Sequence, residues 1–153
     1  MTAAEPIDFD AFAKALPEVV AGLRALSAAA GEGMDKVLIE LIKARASQIN
    51  GCAFCLQLHL NWARKAGATQ AKLDRLAVWR EAPDFTETER AALGWTEALT
   101  DPSRRMEAPG ARAALDAVFD APAVMRLTAA VAAINAWNRI AGPLGFTPPA
   151  PGP

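Results

Sequence analysis

The chain has 153 residues, 52% of them hydrophobic, and its 16 Lys and Arg against 17 Asp and Glu leave a net charge of −1. That balance argues against nucleic-acid binding, no apolar run is long enough to span a membrane, and two cysteines cannot form a disulfide scaffold. A chain of this length suggests one domain, and it can bury roughly 70% of its unfolded surface without staples.

In chain order, Met1 to Pro6 shows no basic region followed by an apolar one. The expectation is a cytoplasmic protein without a secretory signal, whose cysteines stay available as thiols. Ile7, Phe9, Phe12 and Leu16 predict a short first helix. Pro17 suits the first turn of a second one, with Val19, Leu23, Leu26 and Ala30 on its buried side, Ser27 at the border, and Gly31-Glu32-Gly33 as its stop. A third helix, about residues 35–49, carries the apolar stripe Val37, Leu38, Leu41, Ile42 and Ile49, with Glu40, Ala44 and Gln48 along one border. The pattern breaks at Asn50-Gly51, resumes as a helix to about residue 66, and stops at Gly67.

Thr69 caps a helix to about residue 79 with Leu73 and Leu76 inward, and Pro83 fixes a loop over 81–85. Thr86-Glu87-Thr88-Glu89 reads as a capping box for a helix carrying Leu93, Trp95 and Leu99. Another helix spans about 109–119. Asp120 caps an alanine-rich helix over about 121–141, with Val124, Leu127, Val131, Ile134, Trp137 and Ile140. A helix apolar over most of its circumference is normally buried, which in a small domain predicts packing against another subunit as well as its own core. The expected domain covers 1–142, and the Pro/Gly-rich residues 143–153 form a tail that cannot continue the helix. No alternating β-branched run with turn signals appears. The fold class is therefore all-α, an oligomeric helical bundle built from dimers.

The chemistry gathers in Cys52-Ala53-Phe54-Cys55-Leu56-Gln57-Leu58-His59, which holds both cysteines and the only histidine. Unpaired backbone N–H groups and the positive dipole end at a helix start favour thiolate, the reactive form. At ~100° per residue, Cys52, Cys55, Leu56, His59, Trp62, Ala63 and Ala66 share the inward face, opposite Gln57, Asn61, Arg64 and Lys65. Cys55 and His59, at i and i+4, are helix neighbours, so the imidazole assists Cys55 more directly. The helix terminus favours Cys52 instead, and spacing leaves the order of reaction open. Glu40 enters the site as a proton acceptor if the fourth helix folds back on the third, with burial raising its pKa.

Glu40, eleven intervening residues, Cys52-x-x-Cys55, three residues and His59 resemble the motif of the alkylhydroperoxidase AhpD-like branch of the carboxymuconolactone decarboxylase family. Ser47-Gln48-Ile49-Asn50-Gly51-Cys52 and Trp79-Arg80-Glu81-Ala82-Pro83-Asp84-Phe85-Thr86 share the likeness, which covers roughly residues 35–99 and weakly 133–139. The resemblance implies an all-helical thiol peroxidase that assembles as dimers, a trimer or a hexamer and needs no cofactor or metal. Cys55 would attack a hydroperoxide, Cys52 would resolve the sulfenic acid to a disulfide, and Glu40 and His59 would relay protons. An external dithiol, of thioredoxin or lipoyl type, would reduce the disulfide. One position departs from the pattern: such proteins carry a second histidine directly before the second cysteine, and Phe54 cannot move protons.

Three other readings compete with this one. Cys52, Cys55 and His59 with Glu40 offer four zinc donors, although structural sites usually draw on two separated ligand pairs. A non-peroxidatic redox sensor or adaptor would use the disulfide to switch an interface. A carboxymuconolactone-type decarboxylase would have no need of the paired cysteines.

Overall fold

A single left-handed glycine makes the reversal that positions the site. Helix α3 (Lys36–Ile49) is capped by Asp35, whose carboxylate accepts from the Leu38 N–H, and it ends at Asn50. Gly51 takes φ +67°, a conformation in which any side chain would be strained. Cys52 then caps α4 (Ala53–Ala66), which runs back along α3 to Gly67 at φ 105°.

The computed structural model describes residues 5–152. The expectation for Met1 to Pro6 falls mostly outside them, as does Pro153. The remaining helices are α1 (Phe9–Ala15), α2 (Pro17–Gly31), α5 (Gln70–Asp74), α6 (Glu87–Thr100), α7 (Ala108–Asp116) and α8 (Ala121–Leu144), with 3₁₀ turns at Leu76–Val78 and Pro102–Glu107. There is no strand among the described residues, and the architecture is all-α as expected. No helix among them is long and apolar enough to cross a membrane.

Helix α3 is the central element, packed by α4, α6 and α8, and α2 lies along α8. Leu41, Ile42 and Ala44 of α3 are fully buried, alongside Leu93 of α6 and Leu127, Ala130 and Val131 of α8. Both cysteines belong to a smaller apolar cluster with Ala46, Ile134, Ala141 and Phe146. The predicted capping box at Thr86 is formed in full, with Thr86 Oγ1 accepting from the Glu89 N–H and the Glu89 carboxylate accepting from the Thr86 N–H.

Several expectations need correction. On α2 the buried residues are Val20 and Ala30, while Val19 and Leu26 are exposed. Apolar residues spread so widely around this helix that periodicity does not select the face that meets α8. Leu99 is likewise exposed on α6. The helix expected to start at Thr69 breaks after Asp74 into a 3₁₀ turn, and Leu73 and Leu76 still point inward. Helix α8 crosses the expected boundary at residue 142 and includes Pro143. Pro143 removes one helical hydrogen bond, that to the Arg139 carbonyl, and only in the last turn, and Gly145 at φ 73° closes the helix. Beyond it, Phe146 is buried, and Asn61 on α4 holds Ala150 and Gly152 by hydrogen bonds of 2.8 Å each.

One buried carboxylate fastens α6 to α3 and to the segment after the first 3₁₀ turn. Glu97 has no exposed surface. It accepts from Trp79 Nε1 at 2.9 Å, Arg45 Nε at 2.8 Å, and the guanidinium of Arg80. Burial raises the pKa of this carboxyl, but the bonds from Trp79, Arg80 and Arg45 outweigh it and hold the group below its ordinary range. Removing one partner of a buried pair strands the other, at roughly 3–5 kcal/mol. Glu97→Ala should therefore lower the urea midpoint by that order of stability with an unchanged denaturant slope, and an unchanged midpoint would show the network to be dispensable.

Candidate redox-active site

The sulfur of Cys52 caps α4. It accepts from the Cys55 N–H at 3.4 Å, which brings the Cys52 and Cys55 sulfurs to 2.7 Å as free thiols. A disulfide bond is ~2.05 Å long, so oxidation closes the pair within the first turn of α4. Both sulfurs are buried, but only Cys55 lines the adjoining cavity.

The two thiols compete for one charge. The Cys55 S–H donates to Cys52 and lowers its pKa to about 7, against the opposing effect of burial, with help from the Cys55 and Phe54 backbone N–H groups and the Asn138 side chain. The same bond to Cys52, reinforced by burial, pushes the Cys55 thiol upward. The pair therefore carries a single negative charge near neutrality and titrates as a unit. The charge rests on Cys52 before reaction, whereas access favours Cys55.

Glu40 and His59 form the second pair. Folding α4 onto α3 brings His59 Nδ1 to 2.6 Å from Glu40 Oε2 across nineteen residues of sequence. Burial lowers the pKa of His59, and Glu40 only partly offsets it. The imidazole is thus neutral at pH 7, with its Nδ1–H donated to the carboxylate and Nε2 left as a proton acceptor. Nε2 has no partner among the described residues, and His59 lines the same cavity as Cys55. No hydrogen bond joins His59 to either sulfur; the two pairs meet across the cavity. Trp62, expected on the inward face, is 45% exposed and stands at the rim, its ring edge-on to His59 at 5.2 Å.

The cavity has a volume of about 530 Å³, with apolar walls from Phe9, Phe54, Leu58, Ile134 and Trp137. Phe54 packs on Phe9 and Phe146 at ring distances of 6.1 and 5.3 Å. The position without a relay histidine therefore serves as an aromatic wall, held by α1 and the C-terminal segment. The zinc arrangement is not assembled. Sulfur pairs with sulfur and Glu40 with His59, and no three Cys, His, Asp or Glu side chains converge among the described residues.

Two buried polar residues belong to the site although the sequence reading gave them no part in it. Asn138 of α8 donates to Ser47 Oγ at 3.0 Å and accepts from Asn50 Nδ2 at 2.9 Å, and its amide favours the thiolate at either cysteine. Its signal was a polar residue on the stripe Leu127, Val131, Ile134, Ala141. Lys43 of α3 is 7% exposed and lines the cavity.

The sequence matches the model of the carboxymuconolactone decarboxylase family over residues 12–98. Among curated proteins, it is 37% identical over 113 residues to the uncharacterized protein YdfG of Bacillus subtilis, covering 73% of this chain and 76% of that one. A crystal structure of an Agrobacterium tumefaciens protein of unknown function, suggested to be the antioxidant defence protein AhpD, superposes with a TM-score of 0.85 at 39% identity, covering 91% of this chain and 96% of that one. The alkylhydroperoxidase AhpD core of an uncharacterized peroxidase-related protein from Ralstonia eutropha shares the fold at a TM-score of 0.79 and 22% identity, over 91% of this chain and 75% of that one.

Two outcomes follow from the electrostatics. The folded pKa of His59 lies below its ordinary value of 6.5, so the stability it contributes is present above that pH and is lost as pH falls through the folded pKa. The denaturant midpoint should fall between about pH 6.5 and about pH 5.5, below the Cys52 titration at about 7 and above the range in which carboxylates titrate, and His59→Gln should flatten that stretch. Asn138→Ala should move the thiolate titration of the pair upward, as read by ultraviolet absorbance. An unmoved titration would remove Asn138 from the site.

Proposed function

The chain belongs to the carboxymuconolactone decarboxylase family, and from that premise we propose that it is a thiol-dependent alkyl hydroperoxide reductase acting through Cys55 and Cys52. The observation that carries this reading is the 2.7 Å approach of two free sulfurs beside a cavity that only Cys55 lines. Family membership and the AhpD-like neighbour support a peroxidase-related role.

The reaction begins with proton transfer from Cys55 to Cys52, which moves the charge of the pair onto the accessible sulfur. The Cys55 thiolate attacks the terminal oxygen of ROOH. An S–O bond forms, the O–O bond breaks, and the alkoxide leaves and is protonated to the alcohol. The Cys52 thiol then attacks the Cys55 sulfenic acid. The S–S bond forms, the S–O bond breaks, and hydroxide departs as water with the Cys52 proton, passed through His59 Nε2. Glu40 keeps Nε2 unprotonated and facing the cavity by holding Nδ1–H. An external dithiol returns both thiols and leaves oxidised. Because the cavity is the approach to Cys55, a slender lipoyl-type arm suits this site better than a broad protein face. The exposed Val19 and Leu26 of α2, with Leu16 at its start, support assembly with further copies of the chain.

A second reading, a thiol–disulfide sensor, is favoured by Phe54, which brings no proton to the cavity. Rate separates the two. Stoichiometric hydroperoxide should consume both thiols within seconds and add no oxygen to the intact mass. Cys52→Ser should hold one added oxygen on Cys55, and His59→Ala should slow oxidation roughly 10²–10⁴-fold. Thiols that last many minutes in excess peroxide would leave the sensor and sink the peroxidase.

A further inference from the structure

Cleavage of an alkyl hydroperoxide releases an alkoxide, a poor leaving group unless a proton reaches it as the O–O bond breaks. His59 enters the reaction neutral and Phe54 has no proton to give. A third group stands in the cavity. Glu40 faces His59 across the antiparallel α3–α4 hairpin, and both helices rise ~1.5 Å per residue. Three residues on from Glu40, Lys43 therefore lies level with Leu56, one residue from Cys55. Lys43 and Cys55 line the same cavity.

The Lys43 ammonium is also unspent. It makes no hydrogen bond or ion pair among the described residues, although its side chain is 7% exposed. Every fully buried side-chain nitrogen or oxygen there does have a partner, so Nζ is not sealed in the core; Lys43 lines both the cysteine cavity and an adjoining one, walled by Lys36, Glu40 and Lys65, that shares Ser27 and Trp62 with it. Burial lowers its pKa and the nearby Glu40 partly restores it, the direction that makes a lysine a better acid. Besides Lys43, the charged or titratable groups lining the cysteine cavity are few: Arg24 from α2, and Cys55 and His59 from α4, with Glu40 behind His59 on the wall of the adjoining cavity. Helix α8 contributes only Ile134 and Trp137.

We propose that Lys43 is the proton donor to the leaving alkoxide when Cys55 cleaves an alkyl hydroperoxide. The inference rests on the peroxide-reductase reading above. As the Cys55 thiolate takes the terminal hydroxyl and the O–O electron pair moves to the alkoxide, Lys43 gives up one proton to form ROH and becomes neutral. The external dithiol later restores two protonated thiols. Their re-ionisation to a singly charged pair releases one proton, which returns Lys43 to the ammonium form.

The test compares two oxidants by single-turnover thiol loss. tert-Butyl hydroperoxide expels an alkoxide that needs a proton, whereas peracetic acid expels a carboxylate that does not. Lys43→Met should lose roughly 10²-fold or more against the alkyl hydroperoxide and less than about threefold against the peracid. Lys43→Arg keeps the charge but not the acidity, and should show the same split. Equal losses on both oxidants, or a full alkyl hydroperoxide rate in Lys43→Arg, would overturn the proposal. If neither variant folds, the wild type decides. Across hydroperoxides of increasing alcohol pKa its rate should change little, and a steep dependence would show that no acid is at work. Wild-type thiols untouched by either oxidant would instead mean that the peroxidase reading has failed.

Discussion

The site depends on the contact between Glu40 and His59 across the α3–α4 hairpin. It joins residues nineteen positions apart through a 2.6 Å hydrogen bond, and it forms only because the chain reverses at Gly51. Once it is made, helix geometry sets everything around it. Cys55 lies one turn before His59 on α4, Lys43 one turn after Glu40 on α3, and the two fall nearly level. The same contact fixes the imidazole tautomer. A slip of one residue in the hairpin would rotate each of these side chains by ~100° away from the others.

Around that register, the polar groups are few and mutually satisfied. Ser47, Asn50 and Asn138 form a chain of hydrogen bonds from α3 to α8 behind the sulfurs. A bond to a charged group contributes ~1.5–3 kcal/mol, against ~0.5–1.5 for a neutral pair. An amide there therefore favours the ionised thiol pair over the neutral one. Burial works in the opposite direction, and the balance leaves Cys52 at about 7. The low dielectric that opposes ionisation also strengthens each remaining interaction once a charge is present. In the apolar cavity a proton shift between two sulfurs, or from one lysine, changes the local field far more than it would in water.

The aromatic cluster of Phe9, Phe54 and Phe146 links this chemistry to the chain ends. It seats α1 and the segment after α8 against the start of the cysteine helix. A histidine at position 54 would have to place a polar ring among these three contacts or turn it into the cavity. The phenylalanine keeps the wall closed and apolar, and the charged and titratable side chains of the cavity come from α2, α3 and farther along α4.

The local features of this protein are determined by its sequence alone. Helix periods, the caps at Asp35, Thr86 and Asp120, the stops at Gly51 and Gly67, and the i, i+4 pairing of Cys55 with His59 all involve residues within a turn or so of one another. The backbone enforces such relations whatever the rest of the chain does. Tertiary structure alone decided the others: that Glu40 meets His59, that Asn138 reaches Ser47 across ninety-one positions, that Lys43 is buried without a partner among the described residues, and that Val20 rather than Val19 faces the core. A helical period defines a face, but not which element will cover it. In alanine-rich helices whose apolar arcs are wide, the choice belongs to packing. A buried polar side chain acquires its role only when another helix supplies its partner, or withholds one.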